Sequence, residues 1–187
     1  SVLSSGVTQI NILVGTIIAS FQTGAVSYLY SADRVYQINL AIAGIAVGTV
    51  SLPVLSKAFK SKNSSKISKI QNKSIELSLL LSTPASLGLI LASKEIVNGL
   101  FGYGSFSIED VEMTSQALMF FGYGVVAFSL IKILANFFFA RDNTKTPFYI
   151  SLFIVILNIL ISVSLFNRIG FVIIPIATSI STWIGVL

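Results

Sequence analysis

The chain has 187 residues, of which 54% are hydrophobic and only 10% are charged, and its mean hydropathy is +0.89. Soluble domains carry about 25% charged residues, so a chain this apolar requires lipid as its solvent. Cysteine and histidine are both absent, which excludes disulfides, zinc sites built on those residues and imidazole acid–base chemistry. The net charge of +5 does not indicate a nucleic-acid partner, because the positive charge is concentrated in one loop between apolar stretches.

Long stretches without charge predict an all-α polytopic membrane bundle of about six transmembrane helices. The uncharged stretches are 1–32, 35–56, 113–131, 146–167 and 169–187, with a slightly shorter one at 77–93. A bilayer span needs roughly 18 or more apolar residues. We therefore predict helices at approximately 6–23, 26–55, 75–98, 113–139, 146–166 and 170–187. Because the chain starts at a serine and ends inside an apolar run, we expect residues 1–187 to be a fragment of a longer protein.

The distribution of basic residues predicts the orientation of these helices. Segment 57–73 holds six lysines and no acid, and segment 140–146 holds Arg141 and Lys145, whereas segment 94–112 is acidic overall. Short loops rich in Lys and Arg stay in the cytoplasm, so the first two segments should be cytoplasmic and the third should lie on the far side. The lysines are interpreted as a topology determinant, and the alternative is a docking surface for anionic membrane lipids.

Asp33 and Arg34 are the only charged residues between position 1 and position 56. A charge near the bilayer centre costs roughly 2.5–3.5 kcal/mol, so it must face water or a partner. If Gly24 is the preceding turn, Arg34 lies about 15 Å along the helix, near the middle of a core about 30 Å thick. Asp33 would then pair with another helix and Arg34 would be free to bind an anion. The alternative is an interfacial pair, with the helix beginning near Tyr30.

The helix face that carries Arg34 is polar or small over much of its length. Ser27 and Tyr30 precede Arg34 on this face and Gln37 follows it, which is typical of a cavity wall. A guanidinium donates two parallel hydrogen bonds to a phosphate or pyrophosphate. Arg34, Asp33, Ser27 and Gln37 are therefore the predicted substrate-binding residues.

Other polar residues inside the predicted spans are weaker candidates. Tyr30, Lys132 and Asn158 are candidate cavity or gating residues, although Lys132 could reach the cytoplasm and an intramembrane Asn is commonly an interhelical hydrogen bond. Gly44 and Gly48 form a small-xxx-small pair, which favours close helix packing. No predicted span carries paired carboxylates, and the sequence has no Ser-His-Asp set and no phosphate loop. We expect a transporter with a cationic cavity and no resident metal, not an enzyme.

Several motifs resemble the MurJ/MviN family of lipid II flippases over essentially the whole chain. In chain order they are Ala32-Asp33-Arg34, Leu52-Pro53-Val54-Leu55-Ser56-Lys57, Phe101-Gly102-Tyr103-Gly104-Ser105-Phe106 and Ala140-Arg141 followed by Lys145-Thr146-Pro147. The resemblance implies a multi-pass protein of the bacterial inner membrane with fourteen helices in two lobes, of the multidrug/oligosaccharidyl-lipid/polysaccharide exporter type. This chain would be the C-terminal lobe, and its partners would be lipid II and the N-terminal lobe of the same protein.

In that family lipid II crosses from the cytoplasmic to the outer leaflet by alternating access around a cationic cavity, for peptidoglycan synthesis. Arg34, Asp33 and Ser27 match cavity residues of the family. Two alternatives remain: another exporter of the same superfamily, for drugs or O-antigen lipids, and a membrane scaffold that does not transport.

The sequence departs from the family pattern at two places. Many members carry Glu and then Phe-Pro after the Asp-Arg motif, where this chain has Gln37, Ile38 and Asn39. Some members bind sodium through acids on two helices, and the aligned positions here are Gly15 and Ser162, beside Asn158 and Thr178. The resemblance therefore disfavours a sodium site, and no cofactor is expected.

Overall fold

The computed structural model describes the backbone of residues 2–187 and the side chains of residues 11–187. All regular structure in this part of the chain is helical. The elements in order are α1 (Val2–Ala19), α2 (Ala25–Leu40), a π-helical segment (Ala41–Ala46), α3 (Val47–Lys60), α4 (Ser64–Leu91), α5 (Ser93–Phe101), α6 (Ile108–Phe139), α7 (Lys145–Ile169) and α8 (Ile173–Val186).

The predicted all-α membrane bundle is confirmed. Helices Ala25–Lys60, Ser64–Leu91, Ile108–Phe139 and Lys145–Ile169 are long and apolar enough to cross a bilayer, and α8 is a shorter apolar helix. The remaining predicted span, 6–23, corresponds to α1, which begins and ends about four residues earlier.

Helices α2 and α3 form one continuous rod with the π-helical segment between them. The rod has 36 residues, so it is about 54 Å long, and its Lys60 end, which is predicted to be cytoplasmic, extends beyond a core about 30 Å thick. The predicted boundary at residue 55 was therefore too early. Gly24, in the left-handed conformation with φ 78°, makes the turn before α2. This positive φ favours glycine, and a Cβ there would also lie 2.5 Å from the hydroxyl oxygen of Tyr28.

The third predicted helix, 75–98, differs most from the structure. Helix α4 begins at Ser64, because the side chain of Asn63 accepts a hydrogen bond from the backbone N–H of Lys66 (2.9 Å) and caps the helix. Ile67, Ile70 and Ile75 then pack against the apolar cluster formed by α3 and α6. At its other end α4 stops at Leu91, and a short separate helix, α5, follows after Ala92.

Helix α6 lies at the centre of the bundle and packs against α2, α4 and α8. The main core joins buried residues of these helices, among them Val35, Leu118, Phe121, Val125 and Ile173. The π-helical segment approaches α6 closely, since a Cβ on Gly44 would lie 3.3 Å from the Cα of Ser129. A Cβ on Gly48 would overlap the side-chain amide of Asn136. The glycine pair thus serves close packing, as its spacing predicts.

Candidate functional site

The far-side turns of the lobe fix where α2 begins. The Oε1 atom of Gln22 accepts a hydrogen bond from the backbone N–H of Phe171 (2.9 Å), which joins the α1–α2 turn to the start of α8. The ring of Tyr28 packs on the ring of Phe171, with centroids 5.7 Å apart. Because α2 begins at Ala25, the alternative start near Tyr30 is wrong. Arg34 therefore lies about 15 Å along the helix from Gly24, about half the thickness of a bilayer core.

Arg34 lies on an open face of α2 and is held by Tyr30. Its Nη2 atom donates a hydrogen bond to the hydroxyl oxygen of Tyr30 (2.6 Å), and its Cζ atom is 4.7 Å from the centre of the Tyr30 ring. Tyr30 is one helical turn earlier, so the guanidinium points toward the far side. The ion pairs among residues 11–187 join Lys73 to Glu76 and Lys94 to Glu112. Within those residues, Arg34 has no carboxylate partner.

Asp33 is half-buried and accepts a hydrogen bond from the Nε2 atom of Gln37 on the same helix. Gln37 is the hydrogen-bond partner of Asp33 in the described part of the chain, and the pairing of Asp33 with another helix stays a prediction. Gln37 takes this role because it lies one turn further along, where an amide reaches a carboxylate. Asp33 and Arg34 thus have separate hydrogen-bond partners and form no salt bridge with each other.

A shallow hollow lies at the far-side end of the same α2 face. Its walls come from the end of α1, the turn and the first turns of α2, namely Ser20, Gln22, Thr23, Gly24, Val26, Ser27 and Tyr30. The structure therefore brings the predicted residues Ser27 and Tyr30 together, next to Arg34. Sequence reasoning missed Ser20 and Thr23, for which the only signal was the hydroxyl residues on both sides of the glycine turn.

Lys132 lies at a different level of the bundle. It is exposed on α6, and its Cβ is 3.6 Å from the position that a Cβ on Gly44 would occupy. Gly44 is ten residues beyond Arg34, which is about 15 Å further toward the cytoplasm. The structure does not bring Lys132 together with Arg34.

Asn158 lies in a closed polar cluster between α7 and α8. It is 5% exposed, its Nδ2 atom donates to the Oγ1 atom of Thr178 (2.8 Å), and its Oδ1 atom accepts from the hydroxyl of Ser162 (3.2 Å). The Thr178 hydroxyl in turn donates to the carbonyl of Ile174 (2.7 Å). The structure thus places Asn158 inside an interhelical contact, away from the α2 face. Nowhere in residues 11–187 do three or more acidic side chains gather as a metal site would require.

The two basic segments form one surface at the end of the bundle that is predicted to be cytoplasmic. The guanidinium carbon of Arg141 lies 4.8 Å from the centre of the Phe59 ring, which joins the α6–α7 loop to the end of α3 beside the exposed lysines of segment 57–73. On the opposite end, Lys94 Nζ lies 2.5 Å from Glu112 Oε2, and this carboxylate raises the pKa of Lys94. Each end thus has one ion pair in the described residues, Lys73–Glu76 and Lys94–Glu112, but the basic segment keeps five further lysines and stays positive overall.

Comparison with known proteins gives a consistent result over the full chain. A family model described as "Lipid II flippase MurJ" matches residues 1–187. A probable lipid II flippase MurJ of Rickettsia prowazekii is 41% identical over 181 residues, covering 97% of this chain and 36% of the relative. One of Rhizobium meliloti is 40% identical over 185 residues, covering 99% and 35%. The chain therefore spans about a third of the length of these relatives.

Solved structures show the same arrangement of helices. A lipid II flippase MurJ in an inward closed conformation superposes with a TM-score of 0.90 at 29% identity, covering 98% of this chain and 39% of that one. An outward-facing MATE-family transporter of the MOP superfamily superposes with a TM-score of 0.83 at 17% identity, covering 98% and 40%, which supports the fold alone. The predicted exporter-type lobe is confirmed.

Proposed function

Because this chain belongs to the MurJ family of lipid II flippases, we propose that it forms the C-terminal lobe of a transporter for lipid II. It is a multi-pass protein of the bacterial inner membrane, as its family and its apolar helices require. The intact protein would move the undecaprenyl-pyrophosphate-linked peptidoglycan precursor from the cytoplasmic to the periplasmic leaflet. The proposed activity is transport, in which no covalent bond of the cargo is made or broken.

The observation that carries this proposal is the open position of Arg34 deep within α2. A guanidinium inside a span is stable only next to water, a counter-charge or an anionic ligand, and no carboxylate of the described residues pairs with it. Its planar fork fits the two adjacent phosphates of a pyrophosphate. Arg34 would bind the pyrophosphate, while Asp33 and Gln37 hold each other and shape the wall beside it.

The other predicted residues take different parts in the proposal. Tyr30 positions Arg34 through its hydroxyl and its ring. Lys132, nearer the cytoplasm, adds only long-range attraction for an anionic cargo. Asn158 joins α7 to α8 and is structural.

The N-terminal lobe of the intact protein is the proposed partner that completes the cavity. Alternating access then follows from rocking one lobe against the other. This lobe is suited to move as a body, because its far-side turns are joined through Gln22 and Phe171 and its cytoplasmic loops through Phe59 and Arg141. Anionic lipids are the proposed neighbours of the basic cytoplasmic surface. We propose no sodium site here, since Asn158, Ser162 and Thr178 offer neutral oxygens that already take part in hydrogen bonds.

Complementation tests the proposal directly. The full-length natural protein should restore growth and cell shape to bacteria depleted of their own lipid II flippase. The Arg34→Ala variant should fail, and Arg34→Lys should restore growth only in part, because an ammonium lacks the planar fork. Arg168→Ala is the matched control, since Arg168 is also exposed but lies at the far-side end of α7. Normal growth with Arg34→Ala, at equal expression, would rule out the assigned site.

A further inference from the structure

The hollow at the α1–α2 turn continues the face that carries Arg34. Tyr30 belongs to both, since it lines the hollow and holds the guanidinium of Arg34. Ser27, on the same face, lies seven residues before Arg34, about 10 Å along the helix axis. An anion bound to Arg34 is therefore next to the hollow, on its cytoplasmic side.

The lining of the hollow is polar but carries no charge. Hydroxyls and a carboxamide come from Ser20, Gln22, Thr23, Ser27 and Tyr30, and Val26 adds an apolar patch. The Ser20 hydroxyl donates to the carbonyl of Ile17 (2.7 Å), so its oxygen is left to accept. The hydroxyls of Thr23 and Ser27 are exposed and make no hydrogen bond with other side chains or backbone in residues 11–187. Such groups suit a ligand with its own hydroxyls and amides, and they provide no positive charge for a phosphate.

We propose that this hollow binds the uncharged amino-sugar part of the cargo while Arg34 holds the pyrophosphate. The inference rests on the proposed function and extends it from the phosphates to the sugar attached to them. Sugar hydroxyls and acetamido groups would exchange hydrogen bonds with Thr23 and Ser27. The apolar face of the sugar ring would pack on Val26 and on the Tyr30 ring. The sugar then lies nearer the far side than the pyrophosphate, so the headgroup leads during export.

Two ligands that share the polyprenyl pyrophosphate, one with and one without the disaccharide–peptide headgroup, test this assignment. Binding of lipid II and of undecaprenyl pyrophosphate to the full-length protein is measured in detergent for the wild type, Thr23→Val, Thr23→Val/Ser27→Ala and Arg34→Ala. The control is Thr83→Val, because Thr83 is exposed on α4 and lies outside the hollow. Loss of two hydrogen bonds should weaken lipid II binding by about five- to twentyfold in the double variant. Binding of undecaprenyl pyrophosphate should not change, and Arg34→Ala should weaken both ligands.

The outcomes separate this inference from the proposed function. If the double variant binds lipid II as tightly as the control, or loses both ligands equally, the hollow is not a sugar site. Thr23→Val alone, which keeps the shape of an exposed side chain, should show about a threefold selective loss and guards against misfolding of the double variant. If Arg34→Ala leaves both ligands unaffected while the double variant still discriminates between them, the sugar site stands and the pyrophosphate assignment fails.

Discussion

The open face of α2 and the closed cluster between α7 and α8 both place polar groups inside apolar spans, yet they treat them in opposite ways. On α2, Arg34 is exposed and its only described hydrogen bond is to Tyr30 on its own helix. Between α7 and α8, Asn158 is buried and both ends of its amide are used by Ser162 and Thr178. The polar atoms of the α2 face are open to the surroundings, whereas those between α7 and α8 are hydrogen-bonded to each other.

This difference separates a site from a structural contact. In lipid, polar groups must be satisfied within the protein unless water or a ligand reaches them. The α7–α8 cluster meets that condition alone, so its contribution is stability. The α2 face does not, so it requires an aqueous cavity or an anion. A polar residue in a span is therefore informative when its partners are missing rather than when they are present.

The largest expected effect is a loss of lipid II binding and transport when Arg34, on the open face of α2, is replaced. Arg34→Leu should lower lipid II binding by about 10–100-fold, because a charge-assisted hydrogen bond contributes roughly 1.5–3 kcal/mol, and flipping in reconstituted vesicles should fall accordingly. The melting temperature should stay the same or rise, since an unpaired charge leaves the span. A variant that melts earlier but still flips would assign Arg34 to structure instead.

The second expected effect is on stability and concerns the closed cluster. Asn158→Leu keeps the side-chain volume but removes two hydrogen bonds, which should lower the free energy of unfolding by about 1–3 kcal/mol. The melting temperature in detergent should fall by a few degrees, while flipping per folded molecule stays within about twofold. Thr178→Val in the same background should add little, because its partner is already lost. If the variant kept full stability but lost flipping, Asn158 would have a direct role in transport.

Much of this comparison could be predicted from the sequence. The uncharged stretches indicate the helices because charges are costly in lipid, and Gly24 indicates the turn because only glycine adopts its φ of 78° without strain. The helical repeat then groups Ser27, Tyr30, Arg34 and Gln37 on one face, and all four are exposed. These features depend on local spacing, which a sequence contains.

Features that depend on neighbours could not be predicted in this way. Asp33 has Gln37 as its partner, but any polar residue of another helix would have fitted the sequence equally well. The sequence left Asn158 as either a cavity residue or an interhelical hydrogen bond, and only the fold shows that Thr178, twenty residues later, is its partner. Asn63 caps α4 locally, but its first turns stay helical among lysines because Ile67 and Ile70 pack on α3 and α6, and this contact exists only in the folded bundle.

Tyr30→Phe tests whether Tyr30 holds the Arg34 guanidinium in its binding orientation before the cargo arrives. The change keeps the ring under the guanidinium but removes the hydroxyl that accepts from Arg34 (2.6 Å). Arg34 would then sample more rotamers before it binds, which should weaken lipid II binding by about three- to fivefold. Tyr123→Phe, at another exposed tyrosine, is the control. Tighter binding in Tyr30→Phe would mean that the hydroxyl competes with the cargo for Arg34.

The smallest expected effect concerns Lys132, which is exposed like Arg34 but lies beside Gly44, nearer the cytoplasmic end. Seven residues separate it from the end of α6 at Phe139, about 10 Å, a distance over which a long lysine side chain can bring its ammonium to the headgroups. Its charge is then screened by salt and contributes mainly to the attraction of an anionic cargo. Lys132→Gln should reduce flipping by less than about twofold at physiological salt and by slightly more at low salt. A tenfold loss that salt does not change would place Lys132 in direct contact with the pyrophosphate and extend the open region from α2 to α6.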